Sequence, residues 1–219
     1  MVIRTADFLS QFGLAMNEGA VEIANYERAC DCYVHHSQVP VAVAGYALAS
    51  PTFAQRQFPK FSFIDLIQKR PSMDVQEAVA LAAVCGADVT PPFWGNGGPF
   101  GKHLWLVIER YRLDPFFERV DQPYGSDGDH YYMRPRGIDA RTGDAIPEVL
   151  VRWREAYRKL DTPYQLMVAT VLQLYRQGPD KHWMVRVPKT WHAAEGVQAL
   201  RAAGFLADWA RLVALYPGW

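Results

Sequence analysis

Two neighbouring stretches decide the fold class: IPEVLVRWREAYRKL, residues 146–160, and TPYQLMVATVLQLY, residues 162–175. In the first, Ile146, Val149, Leu150, Trp153, Tyr157 and Leu160 recur at the spacing of one helix face. Pro147 suits a first helical turn, where no N–H is needed. Glu148/Arg152 and Glu155/Lys159 stand four apart on the other side, acid first, the favourable order. The second stretch opens with Thr162-Pro-Tyr-Gln165, a capping-box pattern with proline at the first helical position. It is then apolar almost all round until Gly178, and a helix without a polar face belongs in a core.

Helix signals also dominate away from this pair. Thr5 is placed to cap a first helix with Phe8, Leu9, Phe12, Ala15 and Met16 as its stripe, and Asn17-Glu18-Gly19 interrupts it. A second helix is expected over residues 20–34. Pro40, Pro51 and Pro59 break up the following region, within which Val41 to Leu48 reads as a short strand or buried extended segment. A short helix is expected from Ser62 to Gln68. Asp74-Val-Gln-Glu77 is a capping box that opens a helix through Cys85, stopped by Gly86. Residues 91–101 read as a Pro/Gly-rich connection and Leu104 to Tyr111 as a compact helix. Residues 121–145 form the longest expected loop, with a short strand at His130 to Met133. Trp183 to Val187 alternates like a strand, and helices over 193–203 and 207–215 close the chain. The expected fold is mainly α with a few short strands, α+β being the alternative. It is read as a single compact unit over 1–219, with any lobe border inside 121–145.

Composition agrees with a packed globule. Half of the 219 residues are apolar and 13% are aromatic, including seven tryptophans, which a disordered chain would not carry. The start of the chain lacks the apolar core of a signal peptide, and no apolar run approaches the roughly 18 residues of a membrane span. Three cysteines, Cys30, Cys32 and Cys85, do not make an even disulfide framework. A cytoplasmic protein with reduced thiols, no membrane partner, no cofactor and no bound metal is the resulting expectation.

Net charge is zero but unevenly placed. Residues 1–129 hold 10 basic and 15 acidic side chains, whereas residues 130–192 hold 11 and 6. The basic region is laced with rings: Tyr131, Tyr132, Arg134, Arg136 and Arg141, then Arg152, Arg154, Arg158 and Lys159, then Lys181, His182, Trp183, Arg186, Lys189, Trp191 and His192. Cations for phosphates and flat rings for unstacked bases are what nucleic-acid contact requires. The competing reading is a solvated helix face with its Trp and Tyr in the core. No RRM, KH, zinc-finger or basic-zipper signature is present.

Other constellations are weaker. Trp94-Gly-Asn-Gly-Gly-Pro-Phe-Gly-Lys-His103 is glycine-rich but lacks the spacing of a P-loop or a dinucleotide fold, and reads as a connector. Cys30-Asp-Cys32 with His35-His36 has metal-ligand residue types without zinc-knuckle spacing. Glu18, beside apolar residues at a helix break, is a candidate general acid, with Asp127 or Asp129 as partner, for hydrolysis of a polymer such as a glycan. Three functions follow: a noncatalytic, nucleic-acid-contacting subunit or accessory protein using residues 130–192, a polymer hydrolase, and a protein–protein interaction or inhibitor module anchored by exposed rings. The first is the leading expectation, with an acidic N-terminal part facing a protein partner or packing on the basic part.

Overall fold

The computed structural model describes residues 4–36, 39–90, 97–120, 129–139, 141–176, 180, 182–187 and 190–218, the side chains of 32–36 and 129 excepted. Among the described residues the chain forms eleven α-helices and two small two-stranded sheets, a mainly α protein. By mutual contact it divides into two compact units, 1–91 with 190–215, and 92–189 with 216–219. The crossings thus fall near residues 91 and 189, and the stretch 121–145 lies inside the second unit.

The first unit opens with α1 (Thr5–Ser10) and a hairpin of β1 (Leu14–Asn17) and β2 (Ala20–Ile23). This corrects the expectation of helix on both sides of Glu18. Asn17 pairs with Ala20, so Glu18-Gly19 is a two-residue turn. Both residues have positive φ, 48° and 80°, as a type I′ hairpin demands. Asn17 also donates its side-chain amide to Glu22 across the ribbon. Helices α2 (Tyr26–His36), α3 (Pro40–Ala49), α4 (Pro51–Gln57), α5 (Phe63–Gln68) and α6 (Val75–Val84) follow.

α3 occupies the stretch expected to be extended. Its two valines and four alanines have no polar face, and residues Pro40 to Ala47 are all buried, so burial on every side overrides the strand preference of valine. Gly45 leaves room for the hairpin: a Cβ there would sit 2.7 Å from Leu14 Cδ1, so a side chain would make Leu14 shift. α6 starts where expected, with one half of the capping box read at Asp74 in place. Ser62 and Asp65 make a reciprocal capping box at α5, and Asp74 accepts the Glu77 N–H at 2.8 Å at α6. Gly86 takes the left-handed conformation, φ 78°, beyond the Cys85 cap.

The chain re-enters this unit at α10 (Ala193–Ala202) and α11 (Leu206–Leu215). α10 packs on α3, α4 and α5, and α11 on α6. His192 caps α10: its Nδ1 accepts the Ala194 N–H at 3.1 Å while its Nε2 donates to the Phe58 carbonyl at 2.6 Å. Trp191 and His192, grouped by sequence with the basic region, therefore belong to the first unit and serve its packing.

The second unit contains α7 (Gly98–Arg110), the ribbon of β3 (Phe117–Arg119) with β4 (Met133–Pro135), α8 (Pro147–Arg158) and α9 (Thr162–Arg176). A 3-10 turn, Asp129–Tyr132, replaces most of the strand expected at 130–133. α7 begins at Gly98, so the C-terminal part of the glycine-rich stretch is a helical first turn; residues 92–96 lie outside the described residues. α9 is buried continuously from Gln165 to Leu174, as its pattern predicts. Gln165 does not close the expected capping box. Its amide donates to the Tyr157 carbonyl at 3.0 Å and the Tyr157 hydroxyl donates to the Gln165 carbonyl at 3.3 Å, tying the end of α8 to the start of α9. Burial holds the Tyr157 phenol well above its ordinary pKa. The Trp183 stretch is a turn, not a strand, because the Asp180 carboxylate gathers the backbone N–H groups of His182, Trp183 and Met184.

Candidate nucleic-acid interface

The second unit carries 15 basic and 12 acidic side chains, the first 8 and 11. The contrast is weaker than in chain order because Glu109, Asp114, Glu118 and their acidic neighbours share the unit of the arginines. Much of the expected basic set is committed to internal bonds. Arg136 donates Nε to the Asp114 carbonyl at 2.9 Å and pairs with Glu118 at 3.1 Å. Arg154 bonds the Leu150 carbonyl of its own helix, and Arg158 holds the Arg186 carbonyl at 3.0 Å. Arg186 itself is exposed at φ 61°. Arg134 lies half-buried on β4 opposite Glu118. Arg152 on α8 and Lys159 at its C-cap are exposed, and neither closes the ion pair expected with Glu148 or Glu155. Arg141 is exposed in a tight turn held by Asp139, whose carboxyl two backbone N–H groups pull below its usual range. Lys181 and Lys189 lie outside the described residues.

Trp183 requires a correction. It is 1% exposed, its indole N–H donates to the Arg136 carbonyl at 2.7 Å, and Arg176 lies over its ring. Arg136 in turn donates its backbone N–H to Phe116, whose carbonyl also accepts the Trp153 indole N–H. Two tryptophans thus anchor the ribbon from the inside, and the Trp183 ring has no open face for a base.

Sequence reasoning missed a different group. The Arg119 guanidinium lies 5.3 Å from the ring centroids of both Trp105 and Tyr132. Trp105 comes from α7, Arg119 from the end of β3, and Tyr132 from the 3-10 turn. A backbone bond from Val120 N–H to the Tyr132 carbonyl, 2.8 Å, holds the ribbon to that turn. Both rings are half-buried while Arg119 is exposed. Among the described residues the guanidinium meets no carboxylate and no carbonyl, so its N–H donors remain open to solvent. Contact with ring faces leaves the N–H donors of a guanidinium unused, and a planar donor fork suits phosphate and carboxylate.

Tyr131 stands next to this group. It is 36% exposed, and its ring lies 4.1 Å from that of His130. His130 is 2% exposed and packs edge-on against Phe100, 5.4 Å away. Gly97 is the floor of this column: a Cβ there would lie 2.3 Å from His130 Cε1. Phe100, His130 and Tyr131 thus lie in successive ring contact.

Of the hydrolase candidates, only Glu18 is described with its side chain. Glu18 is exposed at the hairpin turn, not set among apolar residues. Asp127 lies outside the described residues, and of Asp129 only the backbone, the first residue of the 3-10 turn, is described. In the first unit a cleft of about 280 Å³ is lined by Gly86, Cys85, Arg201 and Leu206 among others, and no carboxylate lines it. Burial pushes the Cys85 thiol up to about 12, which removes the thiolate needed for nucleophilic chemistry. Cys30 and Cys85 are free thiols, and the side chains of Cys32, His35 and His36 lie outside the described set.

One carboxyl is perturbed elsewhere in that unit. Glu77, in the first turn of α6, has Oε1 buried without a donor among the described residues. Burial first and the neighbouring Asp74 charge second push it up to about 7, and Arg70 pulls the other way. Arg70 is buried and committed, donating to the Val213 and Ala214 carbonyls at the end of α11 at 2.7 and 3.1 Å.

Comparison with models of known families, with curated proteins and with solved structures finds no match. The functional reading therefore rests on the geometry of this chain.

Proposed function

We propose that this protein is a noncatalytic nucleic-acid-contacting factor and that its second unit carries the contact. The observation that supports this reading is Arg119: an exposed guanidinium over the rings of Trp105 and Tyr132 that meets no acceptor among the described residues. Phosphate recognition and base stacking need these two kinds of group together. The basic region of the sequence contributes Arg152 and Lys159 as exposed cations that follow the backbone. Arg136, Arg154, Arg158 and Trp183 serve the fold instead.

The test is a binding titration of the whole protein with labelled mixed-sequence oligonucleotides by fluorescence anisotropy, repeated over a range of salt. Affinity should fall with salt on a log–log slope of about −0.7 to −0.9 per phosphate neutralised. Replacing Arg152 and Lys159 together by alanine should shallow the slope by up to about two such contacts. Absence of binding to any nucleic acid at low salt refutes the proposal.

A further inference from the structure

We infer that the cleft in the first unit binds a small monocarboxylic acid, with its apolar body against the cleft wall and its carboxylate on Arg201. This site is separate from the nucleic-acid reading above and does not rest on it.

The cleft, about 280 Å³, forms where four connections meet. The hairpin turn with the start of β2, the end of α3 at Leu48, the end of α6 over residues 84–86 and the link from α10 to α11 each supply part of its lining. Three of these connections turn on glycines of positive φ: 80° at Gly19, 78° at Gly86 and 75° at Gly204. A Cβ at any of the three would meet nothing within 4 Å, so the space beside them is left open by the packing. Ligand sites begin at about 300 Å³, and a cleft of this size takes a small molecule.

The lining then decides the chemistry. Val21, Leu48, Val84 and Leu206 make the wall apolar, and burial keeps the Cys85 thiol protonated and uncharged. Arg201 is the one charged side chain among the lining residues. Its Nη1 donates to the Leu48 carbonyl at 3.4 Å, which ties the guanidinium to the end of α3 at the cleft wall. Among the described residues its other N–H groups meet no acceptor. An apolar cleft with one polar group of unused bonding capacity is oriented toward a ligand with an apolar body and a matching polar end. A carboxylate brings the single negative charge that one guanidinium balances, and its two oxygens suit that donor. A phosphate brings up to about two charges and calls for further cations, which this lining lacks.

The experiment titrates the whole protein, labelled with nitrogen-15, against 3-methylbutanoate, its uncharged amide and inorganic phosphate, following backbone amide signals by NMR. The acid should shift the signals of Gly86 and Gly204 saturably with a millimolar or tighter Kd, and the uncharged amide should bind about fivefold or more weakly. Phosphate should give no saturable shift at these residues. Arg201→Gln should lower the affinity for the acid to that for the amide and leave the amide's affinity unchanged, which a loss of packing alone would not do. Ala20 is exposed and lines the cleft at the start of β2, so Ala20→Phe places a ring in the opening at a strand position that accepts one, and should abolish binding of the acid. Unchanged acid affinity in either variant overturns the inference. So does any of three results on the unsubstituted protein, which depend on no variant folding: no saturable shift up to about 10 mM acid, equal affinity for acid and amide, or phosphate bound as tightly as the acid.

Discussion

Glu77 gives a prediction whose sign and size follow from its surroundings. The carboxyl is partly buried, lacks a donor on Oε1, and lies near the Asp74 charge, which raises it from 4.5 to about 7. The folded protein therefore holds a proton that the unfolded chain releases above about pH 4.5. This contribution to stability is fully present below that pH and is lost as pH rises through about 7, because the folded state must then carry a charge it solvates poorly. A carboxyl wholly withdrawn from water would lose about 3 kcal/mol over such a shift. Glu77 is partly wetted, and screening reduces the expected loss to about 1–2 kcal/mol. Glu77→Gln removes the charge and keeps a residue type accepted at this position of a capped helix. Urea denaturation of both proteins should give nearly equal stability near about pH 5, and the variant should gain about 1–2 kcal/mol over the parent near about pH 8.5. Stability profiles that run parallel across the pH range would show that the carboxyl is well solvated and refute the reasoning.

Two further outcomes follow from the packing. Trp183→Ala should destabilise the protein by about 3–5 kcal/mol through the lost ring and the orphaned Arg136 carbonyl, read as a lowered urea midpoint; an unchanged midpoint would return Trp183 to the surface. Cys85, buried and pushed up to about 12, should resist a thiol reagent in the native protein at neutral pH and react only on unfolding, so mass spectrometry that finds Cys85 labelled before Cys30 would contradict its placement.

How much of this was legible in the sequence depends on the range of the signal. α8, α9, the short helix from Ser62 and the Asp74 cap of α6 depend on residues within one or two turns, and they form where the pattern puts them, the Asp74 box by one half. The N-terminal hairpin was hidden because Phe8, Phe12 and Met16 mimic a helical stripe. The interruption lies earlier, at Gly13, whose φ of 68° and close approach to the Asn25 carbonyl turn the chain. α3 was read as extended because its valines favour strands in isolation, while the packing that makes it a helix comes from β2, α6 and α10, the last about 150 residues away. The candidate site is a sharper case. Trp105 sits within a helix that reads as compact and apolar, and Arg119 precedes the basic region in a stretch with acidic net charge. No local pattern connects either to Tyr132. Composition correctly marks the Tyr131–Tyr132 neighbourhood as ring-rich, but the pairing with Arg119 exists only after β3 and the 3-10 turn are joined.

The division into units also changes what the chain's charge asymmetry means. Read along the sequence, an acidic part is followed by a basic part and then by two short helices with too little surface to fold alone. In space those helices complete the first unit: α10 lies along α3, α11 along α6, and Arg70 caps the carbonyls at the end of α11. The second unit is therefore an insertion between residues 91 and 190 of the first, apart from the tail 216–219. The division also assigns all six acidic residues of 109–129 to the same unit as the arginines, where Glu118 already pairs with Arg136. Long-range attraction of a polyanion by net charge is then weak. On the proposed reading, contact with a polyanion then relies on a few placed groups at short range, such as the exposed Arg119 over Trp105 and Tyr132.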